Sequence, residues 1–246
     1  MTITILTIFP EGFESFLQTP VVARAREKGL VTIDIVDIKD FAHGSFRHID
    51  DSPFGGGAGM VMRCQPVLDS LREVRSRSDN EPLVVAMTPA GKKYDQKAAH
   101  RYADLDHLVL LCGHYEGMDA RILDHVDEEV SLGDFILTGG ELPAMTITDS
   151  IARLLPGALR KASTEDESFE DGLLEYPQYT QPRDYEGEPV PEVLLSGDHG
   201  RIRRWRRKES LRLTRERRPD LFEEYIAAGK LTEEDRELLL ELEAET

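Results

Sequence analysis

The segment HLVLLCGHYEGMD, residues 107–119, decides the fold class of this chain. Residues 108–112 form a continuous apolar run, which is typical of a strand buried on both faces of a parallel sheet. Gly113 and Gly117 then bracket the polar run His114-Tyr115-Glu116. Because parallel sheets bind ligands at the carboxyl ends of their strands, the segment predicts a central strand over 107–112 followed by a functional loop.

Strand and helix patterns alternate on both sides of this segment. Further strands are predicted over residues 2–8, 31–38, 82–88 and 129–131. Helices are predicted over residues 12–28, 65–75, 95–102 and 141–155. Regular alternation of the two patterns indicates an α/β fold with a mostly parallel sheet.

The domain organisation follows from length and composition. The 246 residues suit a medium domain joined to a small one, and apolar periodicity disappears after residue 160. We expect a main domain over 1–160, a flexible linker over 161–178 and a helical domain over 179–246. The long polar stretch over 40–59 is too long for a simple connector and indicates a functional loop.

The chain contains no apolar run of the length that a membrane span needs, so no membrane association is expected. Its opening, MTITILTIFPEGF, lacks a basic leader and a small-residue cleavage site. Cys64 and Cys112 lack metal-site spacing, and without a secretion signal a disulfide between them is not expected. These features predict a cytoplasmic protein.

Charge is segregated along the chain. The formal net charge is −17, yet residues 201–218 hold ten Lys or Arg and two Glu, a local balance of +8. The rest of the chain therefore carries −25. Ten cations in eighteen positions exceed what solvation of a helix requires, so we expect this segment to contact RNA phosphates.

Common catalytic signatures are absent: there is no GxSxG, P-loop, HExxH or GxGxxG after the first strand. Glycines cluster instead in three places: residues 55–59, residues 113–117 and residues 133–140. Glycine permits close approach of a ligand to the main chain. Three clusters at strand ends predict a pocket that reads its ligand through backbone groups.

Five motifs follow one another in a family-specific order: SPFGGGAGM (52–60), CGHYEGMD (112–119), SLGDFILTGGELPA (131–144), PQYTQP (177–182) and VLLSGDHGRIRRWRRK (193–208). In this order and spacing the chain resembles the bacterial tRNA (guanine-N1)-methyltransferases of the SPOUT class. The similarity extends over nearly the whole chain. One departure is Gln181, where the family usually has arginine.

The resemblance implies a SPOUT-type α/β domain tied into a trefoil knot, with a small α-helical C-terminal domain that binds tRNA. It also implies a homodimer whose active sites lie between subunits. The expected reaction transfers a methyl group from S-adenosylmethionine to N1 of the guanosine at tRNA position 37, beside the anticodon. Mg²⁺ participation is implied as well, although no residue pattern independently marks a metal site.

The resemblance further implies roles for individual residues. The S-adenosylmethionine pocket would be formed by Pro89, Gly113, Tyr115, Leu132, Gly133, Asp134, Phe135, Ile136, Leu137, Gly139, Gly140 and Pro143. Glu116 would lie beside the reacting methyl group, and Arg153 would assist catalysis. The candidate RNA-binding residues are Arg201, Arg203, Arg204, Arg206, Arg207 and Lys208.

The identity of the general base stays open between two linker acids. The family places an aspartate directly before Ser-Phe, and this chain reads TEDESF over 164–169. Position favours Glu167, whereas residue type favours Asp166. Two other functions also stay open: a SPOUT methyltransferase acting on ribosomal RNA or a ribose hydroxyl, and a non-catalytic RNA-binding protein that keeps the fold.

Overall fold

The protein is described by a computed structural model over residues 1–44, 47–160 and 167–245. The chain divides into two compact units, Met1–Lys161 and Ala162–Thr246. The first unit contains the sheet, and the second is mainly helical.

A five-stranded sheet forms the centre of the first unit. Its strands are β1 (Thr2–Thr7), β2 (Thr32–Asp37), β5 (Leu83–Lys93), β6 (His107–Leu111) and β7 (Glu128–Ser131). They lie in the order β2-β1-β6-β5-β7, and every pairing is parallel. The short strands β3 (Asp50–Asp51) and β4 (Val61–Met62) pair separately. The predicted α/β class with a central parallel sheet is confirmed.

Helices cover both faces of this sheet. One face packs against α1 (Pro20–Glu27), α3 (Gln96–Ala103) and α5 (Glu141–Leu154). The other packs against α2 (Cys64–Arg77) and α4 (Ala120–Leu123). Within β6, Leu108 and Leu110 join the first core and Val109 and Leu111 the second, so this strand is buried on both faces as its apolar run predicted.

The helix predicted over 12–28 is broken. Two 3₁₀ turns, Pro10–Phe13 and Phe16–Gln18, precede α1, which begins at Pro20. Thr19 is extended, with φ −61° and ψ 142°, because the ring of a following proline disfavours the helical conformation. The expected end is observed: Gly29, at φ +68°, follows the last residues of α1.

Strand β5 runs further than the predicted 82–88. Met87 and Lys92 both lie opposite Val130, so the TPAG segment between them forms a bulge. At Gly91, a Cβ atom would collide with the backbone of Glu129 and Val130. The glycine and proline of this segment indicated a loop, whereas the chain bulges and then resumes pairing.

The second unit is built from α6 (Glu192–Leu195), α7 (His199–Arg217), α8 (Pro219–Ala227) and α9 (Glu233–Ala244). A two-stranded hairpin, β8 (Asp184–Tyr185) with β9 (Glu188–Pro189), precedes them. The small core of this unit contains Leu173, Leu211, Phe222, Tyr225 and Leu238.

The structure corrects the predicted linker. Leu173 is buried in the core of the second unit, and the backbone N–H of Leu174 donates to Thr214 Oγ1 at 2.9 Å. These residues were expected to belong to a flexible segment over 161–178. Their packing against α7 assigns them to the second unit instead.

Among the helices of the described residues, none combines the length and apolar character that crossing a membrane requires.

Candidate functional site

A cavity of about 530 Å³ lies at the carboxyl ends of β6 and β7, beside the bulge of β5. Its walls come mainly from three segments: the bulge of β5, the loop after β6 and the loop after β7. The lining residues are Met87, Thr88, Pro89, Ala90, Gly113, His114, Tyr115, Glu116, Gly117, Met118, Leu123, Glu129, Val130, Ser131, Leu132, Gly133, Phe135, Ile136, Leu137, Thr138, Gly139, Gly140 and Pro143. The volume is in the ordinary range for a small-molecule site.

The cavity brings together eleven of the twelve residues expected to hold the cofactor, and Glu116 as well. The exception is Asp134, which is exposed and does not line the cavity. Its neighbours Gly133 and Phe135 do line it. Whether these residues bind S-adenosylmethionine stays a prediction.

Gly140 forms part of the cavity floor. Its backbone N–H donates to Gly113 O at 2.8 Å, which ties the start of α5 to the loop after β6. A Cβ at this position would lie 2.6 Å from Cys112 Cα and 2.9 Å from Gly113 N. Only glycine allows two backbone segments to approach this closely without a shift.

His114, Glu141 and Thr7 form a polar group beneath the cavity. Thr7 Oγ1 donates to Glu141 Oε1 at 2.8 Å, and Glu141 Oε2 lies 3.7 Å from His114 Nδ1. The imidazole also packs edge-on against Phe9, with ring centroids 4.8 Å apart. Thr7 and Glu141, which sequence patterns did not single out, therefore lie next to His114 of the loop after β6.

A second polar pair was also missed. Thr88 Oγ1 donates to Glu129 Oε2 at 2.8 Å, and both residues line the cavity. For Thr88, the available signal was its place at the start of the TPAG segment, whose proline and glycine mark an irregular stretch. No sequence signal marked Glu129, because an acidic residue in a short strand is normally expected to face solvent.

Cys112 contributes no nucleophile. Burial, and to a smaller extent the Glu141 carboxylate, raise the pKa of the Cys112 thiol well above its ordinary value. The thiol therefore stays protonated at neutral pH.

The glycine cluster at residues 55–59 lies outside the cavity lining, unlike the clusters at 113–117 and 133–140. Residues 55–59 do not line the cavity, although a Cβ on Gly59 would collide with the Glu116 side chain. The next residue, Met60, accepts a hydrogen bond from Glu116 N at 3.0 Å. This cluster therefore supports the loop after β6 from outside, which corrects the expectation that all three clusters form the pocket.

The candidate catalytic residues are placed as follows. Arg153 lies in the last turn of α5 and is partly buried. Glu167 is the first described residue of the second unit and is also partly buried. Asp166 lies outside the described residues.

The basic residues of α7 fall into two groups. Arg204, Arg207 and Lys208 form ion pairs with acids that include Glu241, Asp235 and Glu245 of the C-terminal segment. Within the described residues, Arg201 and Arg203 form none, and Arg206 lies over the Tyr176 ring at 4.6 Å. The sequence had treated all six as equally available for RNA.

Within the described ranges, no group of three or more His, Cys, Asp or Glu side chains could hold a metal ion. The sequence left the metal unassigned, and the described side chains supply no candidate.

Comparisons with known proteins agree with the motifs. The family description tRNA (Guanine-1)-methyltransferase TrmD matches residues 1–224. A tRNA (guanine-N(1)-)-methyltransferase of Desulforudis audaxviator is 51% identical over 98% of this chain and 96% of its own length. Enzymes of the same name from Clostridioides difficile and Bacillus velezensis are 51% and 48% identical, over 90% and 100% of this chain and 97% and 100% of their own lengths. The chain therefore belongs to the tRNA (guanine-1)-methyltransferase TrmD family.

Proposed function

We propose that this chain transfers a methyl group from S-adenosylmethionine to N1 of guanosine 37 of tRNA, which supports maintenance of the reading frame. The observation that carries the proposal is the cavity at the ends of β6 and β7, beside the bulge of β5. In a chain of this family, it collects eleven residues that were assigned to the cofactor from sequence alone.

The cavity suits S-adenosylmethionine because its walls combine apolar side chains with glycines. Leu132, Ile136 and Leu137 supply apolar surface, and Gly113, Gly139 and Gly140 line the cavity without side chains of their own. An adenine ring can be recognised by main-chain amides and carbonyls while its faces lie on aliphatic side chains. When bound, the cofactor supplies the methyl group.

The chemistry requires a base, because N1 of guanine carries a proton at neutral pH. We propose that a linker acid, Asp166 or Glu167, accepts this proton. Its removal increases negative charge on O6, and the Arg153 guanidinium stabilises that charge. Glu116 lies on the cavity wall, where it would adjoin the methyl group of the bound cofactor. No step is assigned to Mg²⁺, because the described side chains form no metal-ligating cluster.

We propose that the second unit binds tRNA through α7, on the strength of the +8 balance over 201–218. We also propose that the enzyme is a homodimer with active sites between subunits. Exposed apolar side chains around the cavity support the dimer: Ile136 is 80% exposed and Phe135 56%. Because its substrate would be tRNA, we place the enzyme in the cytoplasm.

A trefoil knot in the first unit is part of the same proposal. Two contacts support it: Gly91 lies against the backbone of β7, and Gly140 lies against the backbone of residues 112 and 113. Segments that pass each other with no side chain between them are what a threaded chain requires.

Two measurements test the proposed function. Calorimetry with S-adenosylmethionine should show binding to the isolated protein, since a non-catalytic RNA-binding protein would show none. Incubation with the cofactor and unmodified tRNA should then yield 1-methylguanosine in a nucleoside digest analysed by mass spectrometry. Ribose-methylated nucleosides, or methylation of ribosomal RNA alone, would instead support the related SPOUT activities.

A further inference from the structure

The second unit contains a cavity of its own, of about 400 Å³. Aromatic and polar side chains dominate its lining, which distinguishes it from the apolar core of that unit. The lining residues are Tyr176, Pro177, Gln178, Tyr179, Thr180, Gln181, Arg183, Val190, Leu194, Leu195, Ile202, Trp205 and Arg206. None of them is needed for the methyl-transfer chemistry described above.

One aromatic ring of this cavity, that of Tyr179, is exposed and accessible to a ligand. Tyr179 is 49% exposed, and its ring centroid lies 6.3 Å from that of Trp205 at an angle of 56°. The two rings are therefore not stacked on each other. The exposed face of Tyr179 offers a flat surface to a planar group.

Arg206 places an unpaired donor at the same cavity. Its guanidinium lies over the Tyr176 ring at 4.6 Å, yet its Nε is buried without a hydrogen-bond partner among the described residues. A buried guanidinium donor without a partner is costly. An oxygen acceptor of a ligand bound in the cavity would satisfy it.

Positive charge flanks the cavity side of α7. Successive residues of a helix are about 100° apart, so Arg201 and Arg203 lie on either side of the face that carries Ile202, Trp205 and Arg206. Arg201 and Arg203 form no ion pair within the described residues. By contrast, the cations that point away from this face are held by acids of the C-terminal segment, as at Arg204.

We propose that this cavity receives an unpaired nucleobase of the tRNA substrate, stacked on Tyr179, while Arg201 and Arg203 contact the neighbouring phosphates. The proposal rests on the proposed tRNA methyltransferase function and deepens it. Aromatic stacking combined with flanking cations is the usual way in which proteins hold single-stranded nucleotides. The second unit would then recognise unpaired nucleotides of the tRNA as well as its negatively charged phosphates.

The test uses the chain's single tryptophan, Trp205, as a reporter. The full chain, saturated with S-adenosylmethionine, is titrated with an unmodified tRNA transcript while tryptophan fluorescence is recorded. Saturation should change the emission, because Trp205 lines the cavity. Tyr179→Ala should raise the Kd for tRNA roughly 5- to 150-fold, the range for loss of one stacked base.

Two variants control for folding and for general aromatic loss. Tyr179→Phe keeps the ring and should bind tRNA as the parent does. Tyr185→Ala removes an exposed tyrosine that does not line the cavity and should also leave binding unchanged. In methyl transfer, Tyr179→Ala should raise KM for tRNA with kcat intact, and the salt slope of binding should stay unchanged because no charge is removed.

The base-stacking proposal is wrong if Tyr179→Ala binds tRNA as tightly as Tyr185→Ala, or if saturating tRNA leaves Trp205 emission unaltered. Failure of the proposed function has a different signature. In that case the parent chain would form no methylated guanosine, whatever the effect of Tyr179→Ala on RNA binding.

Discussion

At the scale of single residues, two glycines that line the cavity, Gly113 and Gly140, differ in what surrounds them. A Cβ on Gly140 would meet backbone atoms at 2.6 and 2.9 Å. A Cβ on Gly113 would meet only the Met118 side chain, at 3.3 Å from its terminal carbon. The backbone next to Gly140 cannot shift easily, whereas the end of the Met118 side chain next to Gly113 can. The two positions should therefore tolerate alanine differently.

We therefore expect Gly140→Ala to distort the cavity floor and to cost about 1–3 kcal/mol of stability, the usual cost of overpacking. S-adenosylmethionine affinity should fall with it. Gly113→Ala should leave the melting temperature nearly unchanged. Calorimetry with the cofactor and thermal unfolding of both variants measure this difference. Equal cofactor affinities and melting temperatures for the two variants would show that the backbone contact at Gly140 does not limit the side chain at that position.

The identity of the base is a second question at this scale. Asp166→Asn and Glu167→Gln are each expected to keep tRNA affinity, because neither acid is needed to bind phosphates. Loss of a general base costs about 10²–10⁴-fold in rate. Under single-turnover conditions, one variant should show a loss of that size and the other should not. If neither slows methyl transfer tenfold, the linker acids are not the base.

At the scale of elements, α7 is a structural helix that we also propose to bind RNA, and its cations divide into those held in ion pairs and those that form none within the described residues. Arg207 Nε donates to Asp235 Oδ1 at 2.7 Å, and its Nη2 donates to Tyr225 Oη at 2.7 Å. Asp235 is only 1% exposed. A cation in such a network cannot turn to a phosphate without leaving a carboxylate buried and unpaired.

The division predicts unequal effects of neutralising single cations on tRNA binding. Arg203→Gln should weaken binding and lower the salt slope of log K by roughly 0.7–0.9, the contribution of one phosphate contact. Arg204→Gln should change the slope less, because Glu234 and Glu241 already hold that side chain. Binding titrations over a range of salt concentrations measure both, and identical slopes would show that the α9 pairs break when RNA binds.

The same network predicts a pH dependence for the second unit. Burial by itself raises the pKa of Asp235, but hydrogen bonds from Arg207 and Thr232 outweigh it and hold the pKa below its ordinary value. At pH values above the ordinary carboxyl pKa of about 3.9, a lowered pKa in the folded state stabilises the fold. This stabilisation is lost as the pH falls towards the lower pKa of the folded state.

Asp235→Asn should remove this contribution and destabilise the second unit at neutral pH by up to about 3–5 kcal/mol, the cost of breaking a buried pair. Denaturant unfolding of parent and variant between pH 7 and pH 2 gives the comparison. The difference between them should be constant near neutrality and shrink below about pH 4. A difference independent of pH would show that the Asp235 charge contributes nothing.

At the scale of the whole molecule, local patterns predicted most of the fold. The apolar run at 108–112 and the glycines after it placed a buried strand and its loop correctly. Patterns failed where long-range packing overrides local preference. The bulge of β5 resumes pairing because β7 lies beside it, and Leu173 is ordered by the helices of the second unit.

The candidate site was predicted unevenly for a related reason. Clustered glycines can be recognised from the sequence as candidate site residues, because few other residues can replace glycine where backbone segments approach closely. The His114–Glu141 pair joins a loop to α5 and the Thr88–Glu129 pair joins two strands, so no single segment indicates them. Likewise, Arg204 and Lys208 looked available for RNA because their partners lie about 30 residues or more further along the chain.

The proposed activity is tested by methyl transfer to two tRNA transcripts that differ only in carrying G or A directly 3′ of the anticodon. With S-adenosylmethionine, the G transcript should gain one 1-methylguanosine per molecule, and the A transcript should gain none. Equal methylation of both transcripts, or a product other than 1-methylguanosine on the G transcript, would contradict the proposed activity.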